Sequence, residues 1–273
     1  MRRRRTDSLG DGPGAMGTGD DGVLWPARLA KIRVLRASKG TGWAIGETGI
    51  LTARQVIEPL LAPPDGAADA KTETAEVVLG ASPGRSFDAR VIWESEATGI
   101  AILQVTERAL VTWKTLLRST PALLNAYPRP EPVEGVTVTG LPAKASPGSE
   151  SSTVAWMLEP PVQAAGVLRP GEGRGARATV DLAKASLPRA ARRHAMLGAV
   201  VHTADPAPMV LGIVTAKPRG RGLLHLETAV LPDTDNNPAL RTALRQIGAH
   251  PAVVTMDGPI FQQYLRADCL DAA

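Results

Sequence analysis

Apolar residues in this chain come in short alternating or continuous runs, interrupted every few residues by glycine or proline, which is the pattern of many short strands. Residues 30–37, Ala-Lys-Ile-Arg-Val-Leu-Arg-Ala, alternate and predict a first strand. Residues 42–45 and 49–52 read as a hairpin turned at Gly46, Glu47, Thr48 and Gly49. Residues 61–71, with Pro63, Pro64, Asp65 and Gly66, read as a surface loop. Two further strands are expected at 76–80 and 87–93, and a buried one at 100–105. A second series is expected at 136–142, 153–158, 176–182, 198–202, 210–216 and 223–228. Residues 238–247 switch to helical spacing, with Leu240, Leu244 and Ile247 on one face, Asn237 as N-cap and Pro238 in the first position. A further short helix is expected at 259–265. The spacing predicts an all-β chain closed by a helix. Between the two strand series, Pro121, Pro128, Pro130 and Pro132 mark residues 119–134 as a linker.

Three segments carry a more specific message. The first is Gly40-Thr41-Gly42-Trp43-Ala44-Ile45 followed by Gly49-Ile50-Leu51-Thr52-Ala53-Arg54-Gln55-Val56-Ile57. The second is Thr98-Gly99-Ile100-Ala101-Ile102-Leu103-Gln104-Val105. The third is Ala195-Met196-Leu197-Gly198-Ala199-Val200-Val201 with Val210-Leu211-Gly212-Ile213-Val214. In this order, with Gly140-Leu141-Pro142 between them, they resemble the framework of the chymotrypsin-like (trypsin-like) serine proteases over residues 28–247. The resemblance implies two six-stranded antiparallel Greek-key barrels and a C-terminal helix. It divides the chain into a disordered basic tail (1–23), a first barrel (24–118), the linker (119–134), a second barrel (135–232) and a C-terminal helix and tail (233–273).

The family's segments carry Thr-Ala-x-His, Asp-Ile-Ala-Leu-Leu and Gly-x-Ser-Gly. Here the resemblance puts Gln55 at the His position, Gly99 at the Asp position and Leu197 at the Ser position, with Ala195 for the oxyanion-loop glycine. Triad chemistry requires a hydroxyl nucleophile, an imidazole base and a carboxylate that orients it. Leu197 has no side-chain heteroatom, the Gln55 amide is no base near neutral pH, and Gly99 has nothing to orient with. The expectation is therefore a degenerate family member that is not an enzyme. A still-active serine endopeptidase with a relocated site is the alternative.

Replacements are scarce in the sequence. His194, His202, His225 and His250 all lie outside the first barrel, and His194 follows Arg192-Arg193 in what reads as an exposed loop. Glu94 and Glu96 flank the missing Asp. Cys269 stands alone in a polar tail and is read as an inert thiol. No Cys pair or His-x-x-x-His supplies a metal site, Gly171-Glu172-Gly173-Arg174-Gly175 lacks the ending of a phosphate loop, and Gly220-Arg221-Gly222 reads as a hairpin turn; no cofactor or metal is expected.

Composition narrows the partners. Four of the 31 basic residues are Arg2 to Arg5, which leaves 27 against 27 acidic ones, so the body is neutral and argues against a nucleic-acid face. The single cysteine, the polar residues 6–14 behind the Arg run and the lack of a long apolar segment give the expectation of a cytoplasmic protein without a membrane span. The expected partner is a protein or peptide, in a scaffold or regulatory role within a bacterial signalling or defence assembly; tail-mediated docking within an assembly is the competing mode. The family's substrate strand maps to Val214, Thr215, Ala216 and Lys217, where an extended peptide can pair by backbone bonds alone.

Overall fold

In the computed structural model the described residues are 28–34, 37–61, 74–79, 85–106, 123–124, 132–140, 162–170, 177–182, 196–203, 209–215, 225–232, 234 and 236–249. The first six strands, β1 (Leu29–Val34), β2 (Ala37–Ile45), β3 (Gly49–Ala53), β4 (Ala75–Leu79), β5 (Ser86–Ser95) and β6 (Ile100–Val105), close an antiparallel barrel in the order β1-β2-β3-β6-β5-β4. The step from β3 to β6 is the Greek-key crossover. β8 (Val133–Gly140), β9 (Val162–Pro170), β10 (Arg177–Leu182), β11 (Val200–Thr203), β12 (Met209–Val214) and β13 (His225–Ala229) form the second barrel, closed by the β11–β12 pairing. A two-residue strand, β7 (Leu123–Leu124), adds to β12 in parallel from within the expected linker. The double barrel predicted from the sequence is the observed architecture.

Local chemistry sets the details. β5 alternates exposed and buried positions until a register shift between Val91 and Trp93. The extra residue, a β-bulge, sets Val91 opposite Leu103 and Trp93 opposite Ile102, so Trp93 turns to the face opposite Phe87 and Ala89, and all three are buried. β3 is buried throughout, because one face lines the barrel and the other lies against the second half of the molecule. The same double burial explains the unbroken apolar run of β12 and the Val200-Val201 pair that opens β11. Val200, Val210 and Ile213 pack with the first-barrel core, whereas Val201, Leu211 and Val214 fill the second barrel.

Two elements escape the sequence pattern. Residues 54–61 form helix α1 (Arg54–Leu61), including Leu61 of the expected loop. Eight residues are too few for a helix to stand alone; buried Val56 and Ile57 hold it on the first barrel. β9, Val-Gln-Ala-Ala-Gly-Val-Leu-Arg-Pro, is poor in β-formers. Its Gly166 is needed because a Cβ there would lie 2.6 Å from the Asp181 carbonyl. The expected strand at 153–158, the helix at 259–265 and the Arg2 to Arg5 tail lie outside the described residues.

Helix α2 (Pro238–Gln246) starts as its sequence predicts: the Asn237 carboxamide accepts from the Leu240 N–H at 3.0 Å. It ends in a Schellman motif with Gly248 at φ +69, Ala249 N–H bonding Leu244 and Gly248 N–H bonding Arg245. The Ile247 carbonyl then accepts from Glu47 and Thr48 in the β2–β3 turn, which ties the C-terminal helix to the first barrel.

His202 is buried in the wall of the second barrel. Its Nδ1 donates to the Thr203 carbonyl (2.8 Å), so Nε2 accepts from the Thr139 hydroxyl (2.9 Å) in the neutral tautomer. Burial holds this imidazole below the ordinary histidine value, against a smaller opposing effect of the Thr203 carbonyl.

Two outcomes follow. Asn237→Ala is expected to cost about 1 kcal/mol in urea unfolding, and an unchanged midpoint would remove the cap from the account. Because the folded-state pKa of His202 lies below its unfolded value of about 6.5, its contribution is complete above that pH and declines as pH falls below it. Melting temperature should therefore drop more steeply below about pH 6.5 in the parent protein than in His202→Gln; parallel pH profiles would show that the histidine contributes nothing.

Candidate functional site

The contacts between the barrels gather the residues singled out in the sequence. At the end of β3, the Arg54 N–H donates to the Gly99 carbonyl at 2.7 Å. This fixes the first turn of α1, and with it Gln55, beside the turn that leads into β6. Gln55 is exposed, and none of the hydrogen bonds formed among the described residues involves its carboxamide. Gly99 sits at φ +75, and a Cβ there would lie 3.3 Å from Thr215 Cβ and 3.9 Å from Thr215 Oγ1.

From the other side comes the turn before β11. Leu197 accepts the Thr41 N–H of β2 at 2.9 Å, and Gly198 donates to the Val214 carbonyl at 2.8 Å. Gly198, at φ +78, lets the two barrels touch: a Cβ would fall 1.8 Å from the Thr41 carbonyl oxygen. Thr52 Oγ1 donates to that same oxygen at 2.7 Å. Gly40 leaves a second gap, since its Cβ would meet Val56 Cγ2 at 2.5 Å and the Leu197 oxygen at 2.8 Å. The Leu197 side chain, 8% exposed, joins the first-barrel core.

Gln55, Gly99, Leu197, Val214 and Thr215 thus lie along one connected set of contacts at the seam. Ala195, Ala216 and Lys217 lie outside the described residues, as do His194, His250 and Cys269. One expectation about Thr215 changes: its N–H donates to Glu227 at 3.0 Å, so it serves the barrel's own ladder and is not free for a bound strand.

The charged surroundings are uneven. Arg54 Nε pairs with Glu94 Oε2 at 2.5 Å, so Glu94 has a partner that the sequence did not suggest. The Glu94 hydrogen bond, with Glu96 and Glu58 nearby, raises the Arg54 guanidinium above its ordinary value against a smaller effect of desolvation. Away from the seam, His225 Nδ1 meets Asp181 Oδ1 and Arg169 Nε meets Asp181 Oδ2, both at 2.6 Å, across β9, β10 and β13. Desolvation pushes the Asp181 carboxyl up, but the bonds to Arg169 and His225 together hold it below the ordinary value. Sequence reading missed this pair because 44 residues separate its members. Among the described residues no three His, Cys, Asp or Glu side chains gather as a metal site, and no helix is long and apolar enough to cross a membrane.

Among solved structures, the chain is similar to the active form of the Rv3671c protease from M. tuberculosis, with a TM-score of 0.50, 16% identity, and 93% of this chain and 96% of that one covered. It is also similar to Deg5, with a TM-score of 0.49, 14% identity, and 83% and 93% covered. No protein-family model matches the chain, and no curated protein matches it in sequence. The likeness establishes the fold of the trypsin-like serine proteases. It also corrects the expectation that the chain is not an enzyme, since the structure it resembles is a protease in its active form. Activity belongs to sites carried on a fold, and the residues that the sequence places at positions 55, 99 and 197 do not decide whether this one carries such a site.

Gly198→Ala is expected to destabilise the protein by about 2–4 kcal/mol, from left-handed backbone strain and the clash with Thr41. Urea unfolding measures it; a loss below about 0.5 kcal/mol, the range of an ordinary surface substitution, would mean that the seam is looser than its contacts state.

Proposed function

We propose that this serine-protease-fold chain engages an extended segment of a protein or peptide at the seam between its barrels, along Val214 to Lys217, with Gln55, Gly99 and Leu197 at the triad positions of the family. The observation that carries the reading is the end of β12. Val214 closes on Gly198, and Thr215 lies against Gly99, so β12 ends at the contact between the two barrels. Chain that leaves a closed barrel at such a place offers backbone donors and acceptors to an added strand. Because the Thr215 N–H is occupied by Glu227, the reading gives the bound segment the next N–H, that of Ala216, on the alternation of an extended strand. The single cysteine supports a reducing, cytoplasmic setting.

A second reading is a serine endopeptidase with a relocated site. It is favoured by the likeness to an active protease and by the His225–Asp181 pair, in which a carboxylate holds Nδ1 and leaves Nε2 for proton transfer. His225 is 66% exposed, so any site there is shallow.

Binding is measured by fluorescence polarisation with a labelled random library of acetylated, amidated octapeptides. Ala216→Pro, which removes one backbone donor, should weaken binding about tenfold without lowering the melting temperature. Equal binding by the variant overturns the seam reading. Covalent labelling of a serine by a fluorophosphonate probe, lost in His225→Asn, would establish the second reading.

A further inference from the structure

Strand register gathers three charged side chains on the outer face of the second barrel. Asp181 of β10 stands directly opposite His225 of β13, and Arg169 of β9 is one step along, opposite Thr179. Asp181 accepts from Arg169 Nε at one carboxylate oxygen and from His225 Nδ1 at the other, both at 2.6 Å. A surface ion pair adds little to stability by itself. What sets this one apart is its carboxylate, 29% exposed and held from both sides by residues of three adjacent strands. Desolvation opposes its charge, but the two bonds keep the carboxyl below its ordinary value, so it accepts as an anion. Nδ1 must then carry a proton, and the neutral ring presents its Nε2 lone pair outward from a side chain that is 66% exposed.

The serines among the described residues, Ser38, Ser86 and Ser95, belong to β2 and β5 of the first barrel. The described residues therefore place no serine beside His225, whereas a neutral imidazole is itself a nucleophile towards an acyl carbon. Attack by Nε2 on an ester forms an N–C bond, breaks the ester C–O bond and releases the leaving group as an anion. The ring becomes an acylimidazolium, and its positive charge lies against Asp181 through the Nδ1–H. Water then adds to the acyl carbon, the N–C bond breaks, and its electron pair returns to Nε2. The carboxylic acid departs, one proton goes to solvent and the neutral ring is restored. Ionised Asp181 has no proton for the leaving oxygen, so the substrates are esters whose leaving group is stable as an anion. Exposed Glu227, two residues along β13 on the same face, adds a second negative charge against the one of Arg169 and disfavours acidic acyl groups.

We infer that His225 is the nucleophile of a serine-independent esterase for small activated esters, with Asp181 as its positioning residue and Arg169 holding Asp181. The inference rests on the second reading, of a hydrolytic site at the His225–Asp181 pair, and puts the imidazole in place of the serine. Two measurements on the full chain test it, with melting temperature to verify that the variants fold. Diethyl pyrocarbonate acylates neutral imidazoles to products that peptide mass spectrometry maps to single residues. His225 should react about tenfold faster in the parent chain than in Asp181→Asn, the scale of one charge-assisted hydrogen bond. An equal rate overturns the role of Asp181 and the inference with it. Hydrolysis of p-nitrophenyl acetate should drop in His225→Gln to the level of unassisted imidazoles, again about tenfold, and should persist after treatment with a fluorophosphonate. Activity that needs His225 but is abolished by the fluorophosphonate overturns the imidazole nucleophile and leaves the serine reading standing. No hydrolysis by the parent chain, or full activity in His225→Gln, overturns the inference, and fluorophosphonate labelling alone then decides the serine reading.

Discussion

The two barrels meet at a close approach that leaves no room for a side chain. Gly198 brings its backbone against the Thr41 carbonyl, where any Cβ would overlap, and hydrogen bonds on either side of it run from Thr41 to Leu197 and from Gly198 to Val214. Only glycine combines the left-handed conformation with the missing side chain. Everything that makes the seam interesting depends on this contact, because it sets the distance between the α1 end of the first barrel and the β12 end of the second.

Burial then spreads outward from the contact. Val200, Val210 and Ile213 turn away from the interior of their own barrel and pack with the first, while their alternate neighbours Val201, Leu211 and Val214 fill the second. A strand apolar on both faces has no solvent face to misplace, and a one-residue slip would exchange the two cores. The C-terminal helix completes the same core through Leu240, Ala243, Leu244 and Ile247, and its last carbonyl holds the β2–β3 turn. The core of the first barrel is therefore completed by residues about 140 positions beyond its last strand's start.

Much of this was legible before any coordinates. The 100–105 run is β6 to the residue, and the hairpin turned at Gly46 to Gly49 where expected, because a short apolar run and turn glycines are local properties. The Asn237-Pro238 helix start was legible for the same reason. The short helix α1 and strand β9 were not, since one contains Pro59 and the other is rich in Ala and Gly. Both owe their conformation to neighbours: α1 to the Gly99 carbonyl, β9 to its pairing with β8 and β10.

The sequence by itself determined the double barrel and which side chains stand at positions 55, 99 and 197, because strand period, turn chemistry and residue identity are written along the chain. Tertiary structure alone decided what those residues meet. That Gly99 faces Thr215, that Arg54 rather than a histidine uses Glu94, and that His225 finds Asp181 are contacts across 116, 40 and 44 residues. Separations of that size leave no local pattern; they are set only when hydrophobic burial of both cores fixes the register of every strand.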